Sequence, residues 1–194
     1  MNNDLLLKIA EKYGTPTFVF DTDDFAKQAD LIKTALGDIP LCYSIKANPF
    51  LLHALPKSVS YVEVCSPGEL AVCRRLNVDP EKIIYSGVNK GSADVGDAVD
   101  YGAAILTAES ERHIEIINEV CRSKGKRADV ILRITSGNQF GMGFDKVCEI
   151  IAMREKYEAV DVIGLHYYSG TQKKTAKIIE KDIKRFEEYL DRLG

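Results

Sequence analysis

From residue 41 onward the chain alternates short β-branched runs with stretches of helical apolar spacing, and no other feature constrains its fold as strongly. Runs at 41–47, 61–65, 83–86, 103–107, 130–134 and 162–167 predict strands. Helical patterns at 50–55, 67–76, 92–101, 110–124, 145–157 and 171–193 separate and follow them. In the last of these, Ile178, Ile179, Ile183, Phe186 and Leu190 share one side. Strand-helix alternation implies parallel strands joined by right-handed crossovers. Two α/β architectures satisfy that: a doubly wound open sheet and a β/α barrel. Ahead of this beat, Leu5, Leu6, Ile9 and Ala10 mark a helix that Gly14 ends. The β-branched and aromatic run 15–20 predicts a strand. A second helix follows from Thr22, with Phe25, Ala29, Ile32 and Leu36 as its apolar stripe.

The 194 residues suffice for one packed domain but fall short of the roughly 250 typical of a closed eight-stranded barrel. Hydrophobic residues at 45% and charged residues at 28% exclude extensive disorder. A net charge of −3 gives no basis for non-specific nucleic-acid binding. No apolar run approaches the roughly 18 residues of a membrane span, so no membrane partner is expected. Met1-Asn2-Asn3-Asp4 does not open a signal peptide. The five cysteines are odd in number and lack C-x-x-C spacing, which argues against a zinc site or a disulfide scaffold. A reducing, cytoplasmic setting is expected, with each cysteine a small buried apolar side chain.

Residues unusual for a core gather at strand C-terminal ends: Lys46, Glu63, Ser66, Arg133, His166 and Tyr168. In a parallel α/β fold those ends form one face, and that face carries the chemistry. A barrel brings them around a centre, whereas an open sheet spreads them along a line. A shared site for Lys, Glu, Arg and His favours the barrel. Lys46, within a buried strand, is either a Schiff-base lysine or a lysine snorkelling from a strand end. Glu63 either meets a cationic partner or faces outward. Ser66-Pro67-Gly68-Glu69 has the form of a helix capping box. Ser169-Gly170-Thr171 stands between a strand and the last helix, where free N–H groups and a hydroxyl suit a phosphate, although many strand-helix turns share this composition. The glycine-rich segment 138–144 is either a connection or a lid. His53 and His113 are expected to face solvent or be incidental.

Together these segments resemble the fold-type III pyridoxal-phosphate decarboxylases, the group of diaminopimelate and ornithine decarboxylases. Tyr43-Ser44-Ile45-Lys46-Ala47-Asn48 is similar to that family's Y-x-x-K-A-N motif. Glu63-Val64-Cys65-Ser66-Pro67-Gly68-Glu69-Leu70 resembles its acidic residue followed by S-x-G-E-L. Ile83-Ile84-Tyr85-Ser86-Gly87-Val88-Asn89-Lys90 resembles its third-strand segment. Leu132-Arg133-Ile134 and Gln139-Phe140-Gly141-Met142 resemble its L-R-I and K-F-G segments. Gly164-Leu165-His166-Tyr167-Tyr168-Ser169-Gly170-Thr171-Gln172 resembles its G-L-H-x-H-x-G-S-Q. The matches run in order from about Thr15 to Gln172.

The resemblance implies a β/α barrel of the TIM type, alanine-racemase-like, present here as about six of eight strands without its β-domain. Residues 1–194 then form the N-terminal part of the barrel, with 15–20 expected to pair with that domain. It implies pyridoxal phosphate as cofactor, joined to Lys46 by a Schiff base. Glu63, Arg133, His166, Tyr168, Gly170 and Thr171 complete the implied cofactor-binding set. Tyr168 stands where the family has a histidine stacked on the pyridine ring, Thr171 where it has a serine, and Glu63 where many members have aspartate. These departures leave the amino-acid substrate open among diaminopimelate, ornithine, lysine and related compounds. The implied activity is amino-acid decarboxylation by a longer, homodimeric enzyme, with little activity expected of this chain alone. A six-stranded barrel leaves open edges, so association or a rearranged edge is also expected. The competing readings are a non-catalytic pyridoxal-phosphate-binding or interaction module, an amino-acid racemase and a class I aldolase.

Overall fold

In a computed structural model that describes residues 2–171 and 173–193, the strands pair in the order in which the chain makes them. They are β1 (Leu41–Ser44), β2 (Val59–Val64), β3 (Ile83–Tyr85), β4 (Ile105–Ala108), β5 (Ala128–Ile134) and β6 (Val160–Tyr167). Every neighbouring pair is parallel. A doubly wound sheet reverses its strand order at a switch point. The unbroken order β1 to β6 has no reversal, so the architecture is a barrel wall of six strands among the described residues. β1 and β6 are its edges.

The helices are α1 (Asn3–Tyr13), α2 (Thr22–Leu36), α3 (Pro67–Arg75), α4 (Ser92–Tyr101), α5 (Glu111–Ser123), α6 (Phe144–Ala152) and α7 (Ala176–Asp191). Caps written in the sequence set their ends. Asp21 accepts the Asp23 and Asp24 N–H groups at the start of α2. Ser110 Oγ accepts the His113 N–H at 3.2 Å at the start of α5. At the start of α3, Ser66 Oγ accepts the Glu69 N–H at 3.2 Å. The Glu69 carboxylate reaches back to the Cys65 N–H at 2.7 Å, one residue further than a simple capping box requires.

Side-chain alternation divides the sheet into two faces. Val62, Val64, Ile83, Tyr85, Leu106, Val130 and Leu132 are buried against the helical layer, where Leu70, Cys73, Val95, Ile114, Ile117, Val147 and Ile150 meet them. Each such side chain contributes about 1.5–3 kcal/mol by leaving water. The alternate residues Glu63, Ile84, Ile131 and Arg133 are half-buried and face the barrel interior. Register carries that face across the wall: Ser44 lies opposite Glu63, Glu63 opposite Ile84, and Arg133 opposite His166.

Four expectations change. Residues 15–20 form no strand, since no ladder partner runs beside them among the described residues, and Phe18 is fully exposed there. The run at 41–47 leaves the sheet at Ser44 and turns through a 3₁₀ segment, Ile45–Ala47. Pro49, which cannot donate to a ladder, opens a second 3₁₀ segment, Pro49–Ala54, capped by the Asn48 side chain. The last helix begins at Ala176 rather than Thr171. Of the cysteines, Cys73 and Cys121 are buried as expected, but Cys42 is exposed.

Candidate active site

The C-terminal ends of the strands surround a cavity of about 710 Å³. Lys46, Glu63, Arg133, His166, Tyr168 and Thr171 all line it. Gly170 lies in the same loop, at φ 104°, without lining the cavity. Ser86, Glu109 and Phe140 complete much of the wall.

Lys46 is placed by the turn that follows β1. Ile45 is fully buried and anchors that turn, while Lys46 itself is exposed, not enclosed in a strand as its sequence context suggested. Its Nζ stands 5.7 Å from the centroid of the Tyr168 ring. Glu63 points to the interior, which excludes the outward-facing alternative.

Arg133 ends its reach in a shielded ion pair. Its Nη1 donates to Glu109 Oε2 at 2.8 Å, and the two side chains are 12% and 5% exposed. The guanidinium lies 5.2 Å from the Phe140 centroid and 5.9 Å from that of Tyr168. Glu109 Oε1 is buried without a hydrogen-bond partner among the described residues. Lys90 is buried and donates to the Gly87 carbonyl. Burial pushes the Lys90 amine down to about 8, with Glu109 as the main opposing influence.

His166 is held below its ordinary pKa, first by burial and then by the Arg133 charge, so its imidazole is neutral at pH 7. Its Nδ1 is also buried without a partner among the described residues, as is Ser44 Oγ. Burial pushes the Cys65 thiol up to about 11, so the cysteine on the cavity wall is a thiol, not a thiolate nucleophile.

Two glycines let the loops approach this closely. Gly87, at φ 99°, passes the end of β2 so tightly that a Cβ would meet the Cys65 carbonyl oxygen at 2.3 Å. Gly141, at φ 78°, folds the 138–144 segment back on β5, where a Cβ would come within 2.9 Å of the Arg133 carbonyl oxygen. There Met142 N–H donates to that oxygen at 2.8 Å, and Thr135 N–H donates to the Met142 carbonyl at 2.8 Å. The segment is thus tied down and presents Phe140 to Arg133.

Two expectations fail here. His113 is buried on α5, not solvent-facing, and its Nδ1 accepts the Glu109 N–H at 3.3 Å. Ser169-Gly170-Thr171 is not a helix N-terminus, because α7 starts at Ala176. Ser169 Oγ instead donates to Asp182 Oδ2 at 2.9 Å, and Lys173 donates to both groups. Gln172, the end of the quoted motif, lies outside the described residues. The sequence alone assigns no role to Glu109 or Lys90. Glu109 directly follows β4, the same strand-end position that marked Arg133.

The donor set suits a flat, anionic aromatic aldehyde. It offers an accessible amine, an aromatic face beside it, a half-buried guanidinium, a threonine hydroxyl, and buried polar atoms lacking partners among the described residues. Among the described residues no group of His, Cys, Asp and Glu could hold a metal ion, and no helix is long and apolar enough to cross a membrane.

The model of the pyridoxal-dependent decarboxylase family's pyridoxal binding domain matches residues 22–194. A diaminopimelate decarboxylase of Aquifex aeolicus is 27% identical over 184 residues, covering 86% of this chain and 44% of that protein. A diaminopimelate decarboxylase of Mycobacterium leprae is 30% identical over 189 residues, covering 86% of this chain and 40% of that protein. The chain therefore spans less than half the length of these curated relatives. The crystal structure of a Helicobacter pylori diaminopimelate decarboxylase mutant complexed with L-lysine shares the fold, with a TM-score of 0.83 and 21% identity over 97% of this chain and 52% of that one. Pyridoxal phosphate is accordingly the cofactor. With a match that reaches from the second helix to the last residue, this chain belongs to the pyridoxal-dependent decarboxylase family.

Proposed function

We propose that the chain supplies the cofactor-lysine face of an enzyme that decarboxylates an amino acid, with Lys46 Nζ as the point of covalent attachment. The observation that carries this reading is the position of Lys46. It is the one lysine lining the described cavity, and it lies beside the Tyr168 ring. When bound, pyridoxal phosphate supplies an electron sink for the pair left at the substrate α-carbon as carbon dioxide departs. Lys46 Nζ would hold the cofactor and, from its place on the cavity wall, would be placed to accept or return a proton. The Tyr168 ring offers a flat face that orients the bound group, as does the adjoining Arg133 guanidinium. Glu63 keeps a negative charge on the interior side of the lysine turn. Neutral His166 fills the floor without adding a cation. Gly170 lets the β6–α7 loop pass at positive φ, and the Thr171 hydroxyl serves a phosphate oxygen.

The substrate is proposed to be an amino acid with a polar distal group, following the diaminopimelate decarboxylases among its relatives. In this reading further residues, contributed by a homodimer partner or by another portion of a longer enzyme, complete the substrate side. A second reading is a module that holds pyridoxal phosphate without turning over substrate. Cofactor titration followed by a carbon dioxide assay on a panel of amino acids separates the two. The proposal expects a visible absorbance band that Lys46→Ala abolishes, and carbon dioxide release from at least one amino acid once the complementing portion is present. A band that persists in Lys46→Ala contradicts the attachment. A band lost in Lys46→Ala but never accompanied by carbon dioxide supports the module.

A further inference from the structure

Glu109 stands at a junction that the reaction outlined above does not use. Its backbone N–H donates to His113 Nδ1 at 3.3 Å, which fixes the end of β4 to the first turn of α5. Ser110, the next residue, caps that same helix through its hydroxyl. The carboxylate leaves this rigid corner with its side chain 5% exposed and reaches the neighbouring strand end, where Oε2 accepts Arg133 Nη1 at 2.8 Å. Arg133 is held with its guanidinium against the rings of Phe140 and Tyr168. Lys90 is a buried amine whose charge Glu109 supports and Arg133 opposes. One carboxylate thus offsets two cations, Arg133 through a direct ion pair and Lys90 through its field. Without it they repel each other through a poorly screened interior, and Arg133, the one with access to the cavity, is the one free to move.

We propose that Glu109 is a positioning residue, whose buried carboxylate holds the Arg133 guanidinium between Phe140 and Tyr168 in the geometry that cofactor loading requires. This rests on the reading that pyridoxal phosphate occupies the cavity. Glu109 acts through Arg133, so its removal should cost nothing further once Arg133 is gone.

The test titrates pyridoxal phosphate into the full chain carrying Glu109→Gln, Arg133→Met or both, reading affinity and the absorbance band, with the thermal midpoint of the cofactor-free chain as control. Glu109→Gln should bind about tenfold or more weakly, the size of a lost charged hydrogen bond, and shift the band at a near-unchanged midpoint. The double variant should bind no more weakly than Arg133→Met. If Glu109→Gln loses its thermal transition, Glu109→Asp carries the test, since it keeps the charge but withdraws it from Arg133. Weaker loading in that variant supports the proposal. Wild-type loading in Glu109→Gln or Glu109→Asp overturns the positioning role, as do losses that multiply in the double variant. A wild-type chain that takes up no cofactor at Lys46 removes the underlying reading and the proposal with it.

Discussion

Lys46 Nζ lies 5.7 Å from the centre of the Tyr168 ring, and Arg133 approaches the same ring at 5.9 Å. An aromatic ring approached by two cations is electrostatically satisfied without using its hydroxyl. The ring, not the phenol, is accordingly the part proposed to serve the site.

Tyr168→Phe should keep cofactor affinity within about twofold, whereas Tyr168→Leu should weaken it several-fold, in line with the ~0.5–1.5 kcal/mol that aromatic pairs add beyond burial. Equilibrium titration with pyridoxal phosphate measures both. Equal losses in the two variants would show that the hydroxyl is the working group.

His113 gives the fold an acid-sensitive joint. Burial, followed by the Lys90 and Arg112 charges, pushes its imidazole down to about 4 from the usual 6.5. Between those values the unfolded chain binds the proton and the native chain does not. Stability is therefore fully present above about pH 6.5 and falls as the pH drops toward 4. Urea denaturation across that range should show a loss of about 1–3 kcal/mol attributable to this residue. His113→Asn should flatten this part of the profile. An unchanged slope in the variant would contradict the assignment.

Gly141 is the hinge of the loop that carries Phe140. Gly141→Ala brings a Cβ within 2.9 Å of backbone atoms at a φ of 78°. The strain should destabilise the chain by about 1–3 kcal/mol and displace Phe140 from Arg133. Thermal unfolding together with cofactor titration reads both effects. A variant matching wild type in stability and loading would show that the loop does not depend on this backbone geometry.

Much of this architecture is legible in the sequence because strand ends in a parallel fold carry the unusual residues. Lys46, Glu63, Arg133 and His166 stand out as polar groups ending apolar runs, and the register brings them to one cavity. Glu109 obeys the same rule but is hidden. The apolar run before it is short, and its neighbour Ser110 makes Glu109-Ser110 look like an ordinary helix start. His113 carried a usable signal, since it shares a helical face with Ile117 and Cys121, both fully buried. Residues 15–20 have strand composition, but a strand is defined by its neighbour, and local sequence does not encode one. Thr171 illustrates a boundary problem: turn composition fits a helix start there, while the first helical turn begins at Ala176.

The central claim concerns a single amine. Incubation of the chain with pyridoxal phosphate, borohydride reduction and peptide mass mapping should place one pyridoxyl group on Lys46 and leave Lys90 unmodified. Stable labelling elsewhere, with Lys46 free, would contradict the account.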